Sequence, residues 1–357
     1  MRSPWQFVLG LVLTLAAVVA FGGRGIAAAA WGNAGFVGLA RTALQGGSAG
    51  SAAQALERAR LLAQEAGFAR GLGRLSMLQD RQAEAIGSLQ EALAACPEDR
   101  IAAFFLGQAL WQAGEQEPAI AAWRQAGAAP YFVSLGQRLN AAGHLEEAME
   151  AWRLALEIDP QSWQAHLEVG RALRRSRQPE EAIRELAVAL DLCPLEAEVQ
   201  VYAEMGHAYR AARNLDRALW AYRETYARLP AGNAYAYLIG SILYEQGRYA
   251  EARQYLCRLL QGTPHAPSHY LLARISIQQE DWAGAERELA QAIALAPSVP
   301  EYHEWLGEVY RAQGNSQAAV EAYRAAFCLA PPESRARERI GGKIQALGGE
   351  LIGCEGE

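Results

Sequence analysis

Small residues recur along the chain at a spacing of about 34 positions, once shortened to 29. A first column of small residues is followed twelve positions later by a column of alanines, so the two columns share every irregularity in spacing. The first column is Gly73, Gly107, Gly136, Gly170, Gly206, Gly240, Ala273 and Gly307. The second is Ala85, Ala119, Ala148, Ala182, Ala218, Ala252, Ala285 and Ala319. Two columns with one common pattern of gaps indicate a repeated structural unit.

Each unit predicts two helices joined by a turn. A large residue follows each alanine by four positions, which places it one helical turn further along the same face. These large residues are Leu89, Trp123, Trp152, Leu186, Tyr222, Leu256, Leu289 and Tyr323. Prolines such as Pro160 and Pro297 end the second helix, and glycines such as Gly143 and Gly314 mark the turn within the unit. One such hairpin cannot bury its own apolar face, so the units must stack into an all-α array.

The last complete unit resembles the tetratricopeptide-repeat (TPR) family, with His303, Leu306-Gly307, Tyr310, Ala319, Tyr323 and Pro331 at the positions of its consensus. The resemblance implies a right-handed α-solenoid, a superhelix of about eight helix-turn-helix repeats. Full units are expected over 66–333, after a half unit at 51–65. A capping helix is predicted over 334–347 and a flexible tail over 348–357. Unit two is five residues short near Gly127, which predicts a local break in the array.

The N-terminus carries a separate signal. Nineteen residues, Trp5 to Gly23, contain no charge, and as a helix they would span about 28 Å, close to one bilayer core. We therefore expect a transmembrane anchor at 1–24, with a signal peptide as the alternative, and a Gly/Ala-rich spacer at 25–50. This predicts a membrane-anchored localisation with an extracytoplasmic array, although Arg2 and Arg24 hardly decide the orientation.

The composition and motifs of the chain exclude several classes of function. The net charge of −6 argues against a nucleic-acid binder, and the five cysteines, which include no CxxC pair, predict neither a zinc site nor a disulfide framework. Walker, HExxH and GxSxG motifs are absent, and neither flank of the array is long enough for a catalytic domain. We therefore expect a protein that is not an enzyme and that has no cofactor or bound metal.

In the TPR family the first helices line a concave groove, so matching positions predict partner contacts. Carried over residue by residue, this predicted groove comprises Arg171, Arg174, Arg175, His207, Arg210, Tyr237, Tyr244, Tyr270, Arg274, Glu304 and Glu308. A solvated charged face in an arginine-rich chain is the other interpretation.

The groove hypothesis is a membrane-anchored protein–protein interaction scaffold. It would hold an extended partner segment with acidic and apolar residues and assist the assembly of an envelope complex. The alternative is a stoichiometric, non-catalytic subunit of a membrane enzyme or secretion machine.

Overall fold

The structure is a computed structural model that describes residues 66–229 and 233–351. These two ranges form seventeen helices and no strand, which confirms the predicted all-α fold of helix-turn-helix repeats. The helices are α1 Ala66–Leu78, α2 Gln82–Ala95, α3 Arg100–Gln112, α4 Gln116–Ala126, α5 Ala129–Ala141, α6 Leu145–Ile158, α7 Trp163–Arg175, α8 Pro179–Leu192, α9 Glu198–Ala211, α10 Leu215–Arg228, α11 Asn233–Glu245, α12 Tyr249–Leu260, α13 Ala266–Gln278, α14 Trp282–Leu295, α15 Pro300–Ala312, α16 Ser316–Leu329 and α17 Arg335–Ala346.

The chain divides into two compact units after Ala172, within α7. The first contact unit contains α1 to α6 and most of α7, and the second contains α8 to α17. Within each of them, successive helices pack as hairpins, for example α3 with α4 and α15 with α16. The hairpin is therefore the building block of both.

The glycine column lies directly beneath the large-residue column. A Cβ atom built on Gly107 would stand 2.5 Å from the indole of Trp123, and one on Gly307 would stand 2.5 Å from the ring of Tyr323. A real Cβ cannot come that close to a ring atom, so at these positions a missing side chain makes room for the ring. The small and large columns of the sequence are thus two halves of one packing contact.

The turns within repeats place one residue in the left-handed region. Gly114, Gly143, Gly247 and Gly314 take this position with φ between +74° and +89°. In four other repeats the position is not glycine, and φ lies between +55° and +61° at Asp80, Arg177, Arg213 and Glu280. L-residues adopt this conformation at an energetic cost, so these four turns hold a small amount of backbone strain.

Unit two departs from the pattern. Its second helix, α4, has 11 residues, whereas α2 and α6 have 14. Gly127 ends α4 with φ of +66°, and α5 begins two residues later at Ala129. The five-residue deficit is therefore divided between three residues of helix and two of linker.

The array ends on an additional amphipathic helix. Ile340 and Ile344 on α17 are buried with Ala319, Tyr323 and Ala326 of α16. The same region holds one feature that the cysteine spacing does not predict, because Cys328 on α16 is disulfide-bonded. Cys96, Cys193 and Cys257 are free thiols.

The predicted membrane-anchored localisation is wrong for the part of the chain that the structure describes. None of the helices there is long and apolar enough to cross a bilayer. Fourteen residues, the longest of these helices, rise about 21 Å, against roughly 30 Å for a bilayer core. The segments predicted as anchor (1–24), spacer (25–50) and half unit (51–65) lie outside the described residues, as does most of the predicted tail.

Candidate functional site

Arginines of α7 form hydrogen bonds with carboxylates of the same chain. The Arg171 Nη1 donates to Glu168 Oε1 at 3.1 Å, and the Gln137 Nε2 donates to the same oxygen at 2.9 Å. The Arg174 Nη2 donates to Glu204 Oε2 at 3.3 Å. Arg175 lies exposed at the end of the helix. Two of the three predicted groove arginines are therefore partly neutralised by carboxylates of their own chain.

On α9 the two predicted residues differ in environment. The Tyr222 hydroxyl and the His207 Nδ1 lie 2.8 Å apart. Burial lowers the pKa of His207, and the nearby Arg174 and Arg210 add to that effect, while Glu204 opposes it. The Arg210 side chain is exposed and makes no hydrogen bond or ion pair with any residue that the structure describes. His207 is thus part of the packing, whereas the Arg210 guanidinium is available.

Tyr237 on α11 joins this region to α15. Its ring lies 5.0 Å from the ring of His265, edge to face. Burial raises the pKa of the Tyr237 hydroxyl, the positive charge of Arg210 opposes the change, and the negative charge of Glu301 adds to it. These effects require Arg210 and Glu301 to lie within electrostatic range of the same hydroxyl.

A polar chain crosses from α13 to α15. The Arg274 Nη1 donates to the Tyr270 hydroxyl at 2.9 Å, and that hydroxyl donates to Glu301 Oε1 at 2.5 Å. Burial and the bond to Glu301 raise the pKa of Tyr270, so the hydroxyl stays protonated at neutral pH. The chain of hydrogen bonds holds the Tyr270 ring and the Arg274 head in one geometry.

Aromatic rings surround the Arg274 guanidinium. Its Cζ lies 3.9 Å from the ring centre of Trp305, 5.7 Å from that of Tyr244 and 5.8 Å from that of Tyr270. These distances are typical of cation–π contacts. Its Nε is buried and has no hydrogen-bond partner within residues 66–229 and 233–351. The structure thus brings the predicted residues Tyr244, Tyr270 and Arg274 together.

The two predicted glutamates at the end of the groove hold the last helix instead. Glu304 is almost buried and accepts bonds from the Arg339 Nη2 and the Lys343 Nζ, each at 2.7 Å. The Lys343 Nζ also lies 2.6 Å from a carboxylate oxygen of Glu308. Burial acts to raise the pKa of both carboxyls, but Arg339 and Lys343 lower the pKa of Glu304, and Lys343 and Arg311 lower that of Glu308. Glu304 and Glu308 therefore hold α17 in place and do not belong to the tyrosine cluster.

Sequence reasoning missed several residues of the aromatic cluster, among them Trp305, His265 and Tyr302, whose ring lies 5.1 Å from that of Tyr270. Trp305 follows the predicted groove residue Glu304 directly. A selection of residues by their position in the repeat therefore does not include it. His265 precedes α13 and faces Tyr237 from the loop. The available signal was an excess of aromatic residues between 235 and 305. Within 66–229 and 233–351 no group of three His, Cys, Asp or Glu side chains could hold a metal ion.

Comparison with known families gives a broad match. The family described as "Tetratricopeptide repeat" matches residues 37–100, 83–131, 127–197, 204–267 and 270–332. These segments overlap or nearly adjoin, so the match runs through most of the chain. No curated protein matches the sequence significantly.

Solved structures match at low identity. One, described as "Functional Characterization of Pseudomonas Aeruginosa pilF", is 20% identical with a TM-score of 0.41, covering 68% of this chain and 97% of that one. Another, "Crystal structure of YrrB: a TPR protein with an unusual peptide-binding site", is 18% identical with a TM-score of 0.44, covering 54% and 98%. The "APC/C hetero-tetramer Cut9-Hcn1" structure is 15% identical with a TM-score of 0.44, covering 86% and 63%. Likeness at this level concerns the helical repeat only.

Proposed function

Because this chain belongs to the tetratricopeptide-repeat family, whose stacked repeats provide extended binding surfaces, we propose that it is a non-catalytic protein–protein interaction scaffold. It binds an extended segment of a partner protein on the first helices of the second contact unit. The contact residues are Arg210, Tyr237, Tyr244, Tyr270 and Arg274, which we call the arginine–tyrosine surface. The segment carries an acidic residue and an apolar or aromatic residue.

The tyrosines supply most of the contact area. Tyr237, Tyr244 and Tyr270 are each partly buried, so their rings are held by the repeat while one edge stays accessible. A tyrosine ring offers a large amphipathic surface and loses little conformational entropy on binding. The hydrogen bonds from Arg274 through Tyr270 to Glu301 already fix two of the side chains. A partner therefore meets a surface that needs little rearrangement.

Arg210 carries the preference for an acidic partner. It is the observation on which the proposal rests, because its exposed guanidinium has no carboxylate partner among the described residues. An arginine head can bind a carboxylate through two parallel hydrogen bonds. Arg174 and Arg175 add positive potential that attracts the same segment, although Glu204 weakens that of Arg174. Glu304 and Glu308 serve the packing of α17 and not the partner.

The test is a selection of displayed random peptides on the full-length protein, followed by calorimetric titration of the enriched sequences. We expect one enriched class of sequences to combine Asp or Glu with an aromatic or long aliphatic residue, apart from any basic class that binds elsewhere on the chain. Arg210→Glu should weaken their binding about tenfold or more, and Tyr270→Ala should weaken it further. Arg184→Glu is the matched control, because the Arg184 side chain is 71% exposed on α8, a second helix.

Two results would contradict the proposal: enrichment of basic peptides on this surface, or equal binding by the Arg210→Glu and wild-type proteins. The measurement also separates a transient assembly scaffold from a permanent subunit of a larger complex. A scaffold releases its segment within seconds, whereas a subunit retains its partner through chromatography.

A further inference from the structure

The first contact unit holds a separate groove that the predicted site does not include. It has a volume of about 610 Å³ and lies among α3, α4, α5 and α6. This is the place where unit two is short, since α4 ends at Ala126 and α5 begins at Ala129. The opening therefore coincides with the one clear irregularity of the repeat.

The floor of this groove is aromatic. The ring of Trp123 lies 5.4 Å from that of Trp111 and 4.7 Å from that of Phe132, and Tyr131 lies 5.2 Å from Phe132. Trp123 and Phe132 are buried, whereas Trp111 is 40% and Tyr131 is 42% exposed. The series of tilted and edge-to-face ring contacts thus begins in the core and ends at two partly exposed rings that line one groove. Exposed aromatic surface within a groove is typical of an interaction site.

The rim of the groove is acidic. Glu147, Glu150 and Glu157 line one side on α6, and Arg153 is the one basic residue among the groove-lining residues that the structure places there. Among the described residues, the one ion-pair partner of the Glu147 carboxylate is the imidazole of His144, with 3.5 Å between Nδ1 and Oε1. The carboxylates of Glu150 and Glu157 are exposed and have no ion pair with any described residue. Carboxylates therefore outnumber guanidiniums at the rim, even counting Arg124, whose Nη2 donates to the backbone carbonyl of Glu157 at 2.8 Å.

We propose that this groove, the acidic aromatic groove, binds a basic segment of a partner protein. An aromatic or long aliphatic side chain of the segment lies on Trp111 and Tyr131, and flanking Arg or Lys residues reach Glu150 and Glu157. Charge complementarity selects the occupant, because three carboxylates against one guanidinium repel an acidic segment and attract a basic one. A guanidinium can also stack on the exposed face of Trp111. The site differs in charge and in place from the arginine–tyrosine surface and does not depend on it.

The probe is a fluorescein-labelled peptide amide, Ala-Arg-Trp-Leu-Arg-Ala, compared with the same peptide carrying Glu in place of both Arg residues. Binding to the full-length protein is followed by fluorescence anisotropy. We expect the basic peptide to bind at least tenfold more tightly than the acidic one. The difference should shrink as salt rises, because the rim charges are exposed and screened.

Substitutions locate the site. The double variant Glu150→Lys/Glu157→Lys should weaken the basic peptide at least tenfold, and Trp111→Ala should weaken it about as much. Glu146→Lys is the control, because Glu146 is exposed on the same helix but does not line the groove. Thermal unfolding of each variant checks that the fold is kept, and only variants that melt within a few degrees of wild type are compared. Arg210→Glu should bind the basic peptide as wild type does, so failure here and failure of the proposed function are distinguishable.

The inference is overturned if the two peptides bind equally, or if the double variant binds the basic peptide as tightly as the Glu146→Lys control. It is also overturned if sedimentation shows a concentration-dependent dimer that the double variant abolishes. In that case the occupant of the groove is a second copy of this chain and not a basic partner.

Discussion

The two contact units use one repeat but treat their acidic side chains differently. In the first, Glu150 and Glu157 stand exposed on α6 with no ion pair to a described residue. In the second, Glu301 accepts from Tyr270, and Glu304 accepts from Arg339 and Lys343. Glu150 and Glu157 are therefore available for a partner, whereas Glu301 and Glu304 are committed to the fold, as is Glu168 of the first unit, which accepts from Gln137 and Arg171. The side chains of the neighbouring helix determine which glutamates are held.

Individual repeats also differ in the residue above the glycine column, which is Leu89 above Gly73 in the first unit and a tyrosine above Gly206 and Gly307 in the second. In the first, indoles cover Gly107 and Gly136, and their Nε1 atoms donate to the carbonyls of Phe104 and Val133 at 3.2 Å. In the second, the corresponding residue above Gly240 is Leu256, which has no polar atom. The indole combines a large side-chain volume with a directional hydrogen bond. Substitution of the tryptophan is therefore expected to be tolerated less well than substitution of the leucine.

The largest effect is expected from Trp152→Ala in the first unit. Trp152 is 1% exposed, and its removal leaves a large cavity and deletes the indole hydrogen bond to the Val133 carbonyl. We expect a loss of about 3–5 kcal/mol in the free energy of unfolding. Leu256→Ala in the second unit should cost about 2–4 kcal/mol. Urea unfolding measures both, and a larger loss for Leu256→Ala would reverse the comparison.

Adding a methyl group to the glycine column should show the same contrast on a smaller scale. A Cβ on Gly136 would stand 2.4 Å from the rigid indole of Trp152, whereas one on Gly240 would stand 2.9 Å from the Cγ and a Cδ atom of Leu256. We expect Gly136→Ala to lower stability by about 1–3 kcal/mol. Gly240→Ala should be less harmful, because alanine also favours the helix by roughly 1 kcal/mol over glycine. Equal losses in the two variants would show that the indole is not the cause.

Glu304→Gln should weaken the attachment of α17 by about 1–2 kcal/mol, since it removes the charge from bonds to Arg339 and Lys343 while keeping the shape. The loss is moderate because Arg339 is 59% exposed. Hydrogen exchange at the amides of Ile340 and Ile344 should accelerate, while exchange in α6 should not. Glu150→Gln in the first unit is the control and should change neither.

The same pair predicts a pH dependence. The folded-state pKa of Glu304 and of Glu308 lies below the ordinary value, so their stabilisation is present above the unfolded pKa of about 4.3. It is lost as the pH falls through the lower folded value. Protection of α17 should therefore decrease below about pH 4.3 in the wild-type protein. Glu304→Gln should show less of this acid loss, and an unchanged loss would assign it to other carboxyls.

The smallest effect is expected at the turns. Glu280 adopts φ of +58° in the second unit, where Gly143 adopts +89° in the first. Glu280→Gly should relieve the strain and stabilise the protein by about 0.5–1 kcal/mol. Gly143→Glu should destabilise it by a similar amount. Thermal unfolding can resolve both changes, and stabilisation by Gly143→Glu would contradict the assignment of strain to these turns.

Much of the fold could be predicted because packing within a repeat is local. The glycine, alanine and large-residue columns lie within one hairpin, so each repeat displays its own core in the sequence. The buried states of Trp123, Trp152, Tyr222 and Tyr323 follow from their column. The same reasoning failed for the membrane localisation and for the disulfide at Cys328. Neither a helix that crosses a bilayer nor a cysteine pairing is specified by the repeat period.

The candidate site was less predictable, because side chains from different repeats meet there. The column rule brings Tyr244, Tyr270 and Arg274 to one face, but it omits Trp305, which packs 3.9 Å from Arg274. It also assigns Glu304 to a partner, although Arg339 lies 35 residues away and binds it. A contact with a ring or a charge of the next repeat depends on how the helices of the two repeats pack. The sequence of a single repeat does not specify that packing.

The sequence by itself determined that this protein is an array of helical hairpins, because a small residue opposite a large one every 34 or so positions admits only close helix pairs. It also marked the short second helix of unit two. Only the tertiary structure decided which charges are paired and which rings are exposed. It placed Glu304 beneath α17 and left Glu150 and Trp111 beside an open groove. The physical reason is that burial and ion pairing depend on the nearest neighbours in space, and in a stacked array these neighbours belong to other repeats.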